Sequence, residues 1–154
     1  MTKLIYTWSK VTAGDIISFR YKGKQSTSKL ITLLVFNPKM PYIKKDGSKT
    51  FHLIGLKLEE RGNVPIIKSK PLFAQLLERV GDIQVVSGDD EIYRIEIPNV
   101  GPRGTKKATY TRIKKYIKQY SVYRTYDYKE AKKSGVFLEP IKLPNELVEV
   151  LIEN

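Results

Sequence analysis

"GDIISFRYKGKQSTSKLITLLVFNP", residues Gly14–Pro38, sets the fold class. Gly14-Asp15 is a turn pair, and after it Ile17, Phe19 and Tyr21 alternate with Ser18, Arg20 and Lys22. A period of two predicts a half-buried strand. Beyond a polar loop, Leu30–Phe36 is continuously apolar and rich in branched side chains, which predicts a central strand covered on both faces. Asn37-Pro38 is expected to end it, because proline donates nothing to a sheet ladder.

Downstream, Asn37 to Lys49 reads as a long loop with two prolines and an Asp46-Gly47 turn, hence a candidate contact loop. Thr50–Leu58 is a third strand, in which Gly55 marks a bulge or a close backbone approach. Lys70 to Val80 has the pattern of a helix. Pro71 suits its first turn, Leu72, Phe73, Leu76, Leu77 and Val80 share a side, and Gly81 supplies the stop. "DIQVVSGDDEIYRIEIP" reads as a hairpin around Ser87–Asp90, with Tyr93, Ile95 and Ile97 facing inward. "NVGPRGTKK" (Asn99–Lys107) is a basic loop. On a helical wheel from Tyr110, the residues Ile113, Tyr116, Ile117 and Tyr120 fill about 120° of arc, opposite Arg112, Lys114, Lys115 and Lys118. Val122–Tyr128 is β-rich in composition, "FLEPIKLP" is extended, and "NELVEVLIEN" forms a short closing helix with Glu146, Glu149 and Glu153 on one face.

The sum is an α+β fold in a single domain, 1–154, with a β-rich core over 1–100 and a basic helix with C-terminal extension over 101–154. The expected architecture is a small, curved, SH3-like β-barrel or sheet. It would hold about five to six mainly antiparallel strands and two to three short helices.

Composition narrows the function. The 154 residues include 28 basic and 16 acidic ones, a net charge of +12, with 41% apolar residues to build a core. Eleven basic residues against two acids, Asp127 and Glu130, fall between Arg103 and Lys133, so +9 of the total +12 is focused there. Focused positive charge is the footprint of a polyanion partner, most commonly nucleic acid, with an acidic protein surface or anionic lipid as alternatives. The absence of cysteine excludes disulfides, thiolate metal sites and cysteine nucleophiles. No run approaches the ~20 apolar residues that span a bilayer, and "MTKLIYTWSK" lacks the form of a secretory signal.

Catalytic and cofactor motifs are missing. His52 is the single histidine, and as a general base it would need an orienting carboxylate; as a packing or surface residue it needs none. "GDDE" (Gly88–Glu91) sets three carboxylates side by side on a turn, where they diverge into water instead of converging on a metal. "GPRGTKK" lacks the spacing of a P-loop. No cofactor, metal or small-molecule substrate is expected.

The stretch "TYTRIKKYIKQYSVYRTYDYKEAKK" (Thr109–Lys133) interleaves tyrosines with basic residues. Tyr110, Tyr116 and Tyr120 share the isoleucine arc and are expected in the core. Some of Tyr123, Tyr126 and Tyr128 are expected to be exposed, beside Arg124 and Lys129, where they could stack on unpaired bases. The basic face has no acid within the helix at the third or fourth position to pair with, and most surfaces mix both signs. Arg103, Lys106, Lys107, Arg112, Lys114, Lys115, Lys118 and Arg124 are the candidate phosphate contacts.

Two resemblances extend this reading. "GDIISF", a polar loop and "LITLLVF" resemble the opening of the small-barrel endoribonuclease toxins of toxin–antitoxin pairs. Those carry an arginine–proline pair as the second strand begins; here Lys29-Leu30 stands there, which removes the catalytic arginine. The series "VFNP", "HLIGLKLEE", "LFAQLLERV", "RIKKYIKQY", "YRTYDYKEA" and "VFLEP" is similar to small accessory or virion proteins of tailed phages, including T-even-like ones. That similarity implies a non-enzymatic viral protein in the virion or the host cytoplasm, bound to DNA without sequence preference or to other phage proteins, and not to a membrane. The alternatives are a protein–protein adaptor using the 38–49 loop, and third a small-barrel ribonuclease.

Overall fold

A computed structural model describes residues 4–58, 84–87, 93–96 and 106–153. The expected helix over Lys70–Val80, the "GDDE" turn and Arg103 lie outside the described residues. The strands are β1 (Leu4–Tyr6), β2 (Asp15–Tyr21), β3 (Lys29–Ile43), β4 (Lys49–Leu58), β5 (Gln84–Ser87), β6 (Tyr93–Glu96), β7 (Ser121–Asp127) and β8 (Val136–Lys142). The helices are α1 (Lys106–Tyr120), α2 (Tyr128–Ala131) and α3 (Asn145–Ile152).

The eight strands among the described residues join one sheet in the order β5-β6-β8-β2-β3-β4-β7, with β1 pairing β8 off that path. Every pairing is antiparallel except β6 with β8. The fold is α+β as expected, but the sheet follows an open path and does not close into a barrel. The "FLEPIKLP" segment supplies β8, which sits between β6 and β2. Residues after 100 are therefore woven into the sheet as well as appended to it.

Both faces of the central strands are covered. On one, Ile16, Leu34, Phe36, Leu56 and Leu58 pack against Tyr110, Ile113 and Ile117 of α1 and Leu147, Val148 and Leu151 of α3. On the other, Ile17, Phe19, Ile31, Leu33, Val35 and Leu53 pack with Trp8, Val11, Tyr126 and Ala131. Leu33, Leu34 and Val35 are wholly buried, so the apolar run does mark a central strand. β2 differs from the half-buried expectation, since Asp15 through Phe19 are all buried. Ser18, under the helices, lies 3.3 Å from Thr32 Oγ1 through its own hydroxyl, so the inward polar position finds a polar neighbour.

Three further departures have local causes. β3 does not stop at Asn37-Pro38 but runs on to Ile43. The ladder to β4 shifts register between Val35 and Asn37 and again between Asn37 and Met40, and Pro38 falls in the second shift. β2 pairs with β3 only as far as Leu34, so among the described residues Pro41 has no strand on that side and no donor is needed there. The expected 37–49 loop is thus the arm of a long hairpin. Lys106 and Lys107, expected in a loop, begin α1. The strand expected at Val122–Tyr128 is Ser121–Asp127, because the Asp127 side chain accepts the Glu130 N–H at 3.1 Å and caps α2, whose first residue is Tyr128.

Candidate functional site

α1 forms because its apolar positions recur every third and fourth residue over a run free of glycine and proline. Tyr110, Ile113 and Ile117 are buried against the sheet. Lys107, Arg112, Lys115 and Lys118 are exposed, and Lys114, at the border of the buried arc, is half-buried. The helix thus holds these five cations along its outer side. Its first turn contains no acid and opens with Lys106 and Lys107. Cations at that end meet the positive pole of the helix dipole, which raises the local potential further, whereas Lys118 in the last turn is favourably placed.

Arg124 does not join this group. It sits opposite Gly55 on β7, two residues from Tyr126, whose ring belongs to the core on the other face of the sheet. The side chain of Arg124 is exposed, but on the side of the sheet away from α1. Strand alternation, visible in the sequence, already separates it from the helix.

The tyrosines divide along the same lines. Tyr110 is buried as expected; the side chains of Tyr116 and Tyr120 lie outside the described residues. Tyr126 is buried, its ring edge-on to Phe19 at 5.5 Å and to Tyr21 at 4.9 Å, and so cannot stack on a base. Tyr128 is half-buried beside Trp8, with the Lys39 ammonium 5.4 Å from its ring centre. Tyr123 is 58% exposed.

Reading the 37–49 segment as a loop hid a second group of residues. The β3–β4 arm displays Met40, Tyr42 and Ile43 to solvent, with exposed Lys39, Lys44, Lys45 and Lys49 around them. Tyr42 stacks on His52 with ring centres 4.7 Å apart and planes 22° apart. Asp46-Gly47 makes the turn, with Gly47 at φ +88° and Ser48 donating N–H and O–H to the Asp46 carboxylate. Those hydrogen bonds hold the Asp46 carboxyl below its ordinary value. The Asp-Gly pair was the sequence signal for this hairpin.

His52 has a carboxylate, Asp127, at its register position on β7. That carboxylate is engaged elsewhere: one oxygen accepts from Thr50 Oγ1 at 3.3 Å and the other from the Glu130 N–H. Among the described residues no three acids and histidines gather to hold a metal ion, and no helix is long and apolar enough to cross a membrane.

A cleft of about 430 Å³ opens where the end of α1, the start of β7 and the end of α3 meet. Phe36, Leu56, Tyr123, Leu151 and Ile152 line it, and Lys118 and Ser121 add the polar groups. The Ser121 hydroxyl is shielded from solvent and has no hydrogen-bond partner among the described residues. No protein-family model matches this chain, and neither a curated protein nor a solved structure matches it.

Proposed function

We propose that this protein binds nucleic acid without sequence preference, through phosphate contacts made by the outer side of α1. The observation that carries the reading is the row Lys107, Arg112, Lys115 and Lys118, all exposed, on a helix whose opposite side is fixed in the core. Anchoring matters because a rigid row of cations loses little freedom on meeting a phosphate backbone. Each phosphate neutralised releases condensed counterions, which favours binding whatever the base sequence. The protein is read as non-enzymatic, and the tailed-phage virion or accessory role rests on the sequence similarity set out above.

The test is the salt dependence of binding to random duplex DNA. Replacing Arg112, Lys114, Lys115 and Lys118 together by glutamine should flatten the log–log slope by about 3 to 4 units, at about 0.9 per phosphate. An unchanged slope overturns the assignment to α1. The adaptor reading is supported by the β3–β4 arm with its exposed Met40, Tyr42 and Ile43, and it predicts no measurable DNA affinity at all.

A further inference from the structure

Strand register lays out one more feature on the same face of the sheet as α1. Tyr123 pairs with Leu56, Thr125 with Ile54 and Asp127 with His52, so the even-numbered residues of β4 and the odd-numbered ones of β7 share a face. Leu56 belongs to the core beneath α1 and α3, which fixes that face as theirs. Met40 pairs with His52, and Tyr42 stacks on it, so the arm continues the same face. Cover by the helices gives out along this margin: Tyr123 is 58% and Tyr42 49% exposed, and Thr125 is exposed between them.

We propose that this uncovered margin of the sheet, from the cleft at Tyr123 to the Tyr42–His52 pair, is a stacking platform for single-stranded nucleic acid. The proposal rests on the nucleic-acid reading of α1 and names the strand state that the surface prefers. Aromatic faces exposed on a sheet accept any base, because every base has a π-face. In the cleft, Tyr123 offers its ring, braced by Phe36 at 6.0 Å, with Leu56 and Ile152 as an apolar floor. Lys118 stands at the same cleft and supplies the phosphate partner.

The second aromatic position lies four residues along β4, at His52 against Leu56, or about 13 Å at the usual strand rise. Beyond it the exposed Lys44, Lys45 and Lys49 continue the positive charge to the tip of the arm. Of the two carboxylates on this path, Asp127 is held by Thr50 and by the backbone of α2, and Asp46 in the turn accepts from Ser48. A duplex keeps its bases stacked on one another and cannot use the tyrosines. Single strands can.

The experiment measures anisotropy of a labelled oligothymidylate and of a duplex of equal length against the full chain. Tyr123→Leu and Tyr42→Leu should each weaken the single strand by about 5- to 150-fold while leaving the duplex unchanged, and Tyr123→Phe should retain binding. Both tyrosines are largely exposed, and urea midpoints equal to wild type will show that the fold is kept. Unchanged single-strand affinity in both leucine variants, or equal losses on single strand and duplex, overturns the platform. The α1 reading fails separately. If the glutamine variant of α1 leaves the duplex slope intact while Tyr42→Leu weakens oligothymidylate, the helix assignment falls and the platform stands. Wild-type protein that binds neither probe overturns both.

Discussion

The Lys142 ammonium stands 3.8 Å from the Asp15 carboxylate, which is almost wholly buried at the start of β2. Thr12 donates its N–H at 2.9 Å to the same carboxylate. Burial nevertheless prevails and pushes the Asp15 carboxyl above its ordinary value, with the Thr12 hydrogen bonds and Lys142 offsetting only part. The native state therefore keeps this proton to a higher pH than the unfolded chain. The stability it contributes is fully present below about pH 4, the ordinary carboxylate range, and is lost as pH rises through the folded value. Asp15→Asn keeps an acceptor for Thr12 and removes the titration. Urea midpoints followed from acid to neutral pH should fall less in the variant than in wild type, and parallel curves would show that Asp15 is not the source.

Gly55 is required by space. It faces Val35 across the β3–β4 ladder, and a Cβ there would run into the Leu34 carbonyl oxygen and meet Leu33 Cγ at 2.9 Å. Both atoms belong to wholly buried residues at the centre of β3. Gly55→Ala should cost about 3 kcal/mol or more, at the upper end for overpacking. Gly47 is the useful contrast, with φ +88° and open space around it. Gly47→Ala should cost only the backbone strain, about 1–2 kcal/mol. Denaturant unfolding of the two variants side by side checks the order.

The bulk of this architecture was legible from local pattern. Alternation marked β2 as a strand without showing that both its faces are buried. The apolar run marked β3 and the isoleucine spacing marked the buried side of α1, because those two patterns report where an element meets the core. The long hairpin was not legible, although its Asp46-Gly47 turn was. Pro38 and Pro41 read as terminators when the strand is assumed to have neighbours on both sides. Only the tertiary fact that β2 stops pairing at Leu34 frees that edge for proline. β8 was hidden for a similar reason: its place between β6 and β2 depends on pairing with β2 more than a hundred residues away in sequence and with β6 48 residues away. Grouping Arg124 with the helix was a failure of a different kind, since net charge counts residues without regard to the face they occupy.

Tyr126 and Tyr123, three residues apart on β7, should respond oppositely to leucine. The Tyr126 ring fills the core beside Phe19 and Tyr21, and leucine would leave its edge-on contacts unmade. A loss of about 1–3 kcal/mol is expected, combining lost burial with lost aromatic pairing. Tyr123→Leu, at a largely exposed position, should stay within about 0.5 kcal/mol of wild type. Chemical denaturation separates them, and a Tyr126 variant as stable as wild type would contradict its place in the core.

The β3–β4 arm should open far more easily than the sheet it springs from. Among the described residues β7 pairs with β4 only from His52 onward, so the outer rungs Tyr42–Thr50 and Ile43–Lys49 form a two-stranded ribbon tied to β7 through the Thr50 hydroxyl and Asp127. An isolated ribbon is marginal in water, and here its side chains at Tyr42, Ile43 and Lys49 are exposed. The rungs at Leu33–Lys57 and Leu34–Leu56 lie instead between β2 and β7, with buried side chains on both faces. Native-state hydrogen exchange should show amides of the outer rungs exchanging with little protection, while those of Leu33 and Leu34 exchange only on global unfolding. Addition of a saturating oligothymidylate should slow the outer rungs selectively, because the stacked Tyr42–His52 pair sits at their base. Protection that rises equally in every strand would point to general stabilisation by ligand and not to contact with the arm.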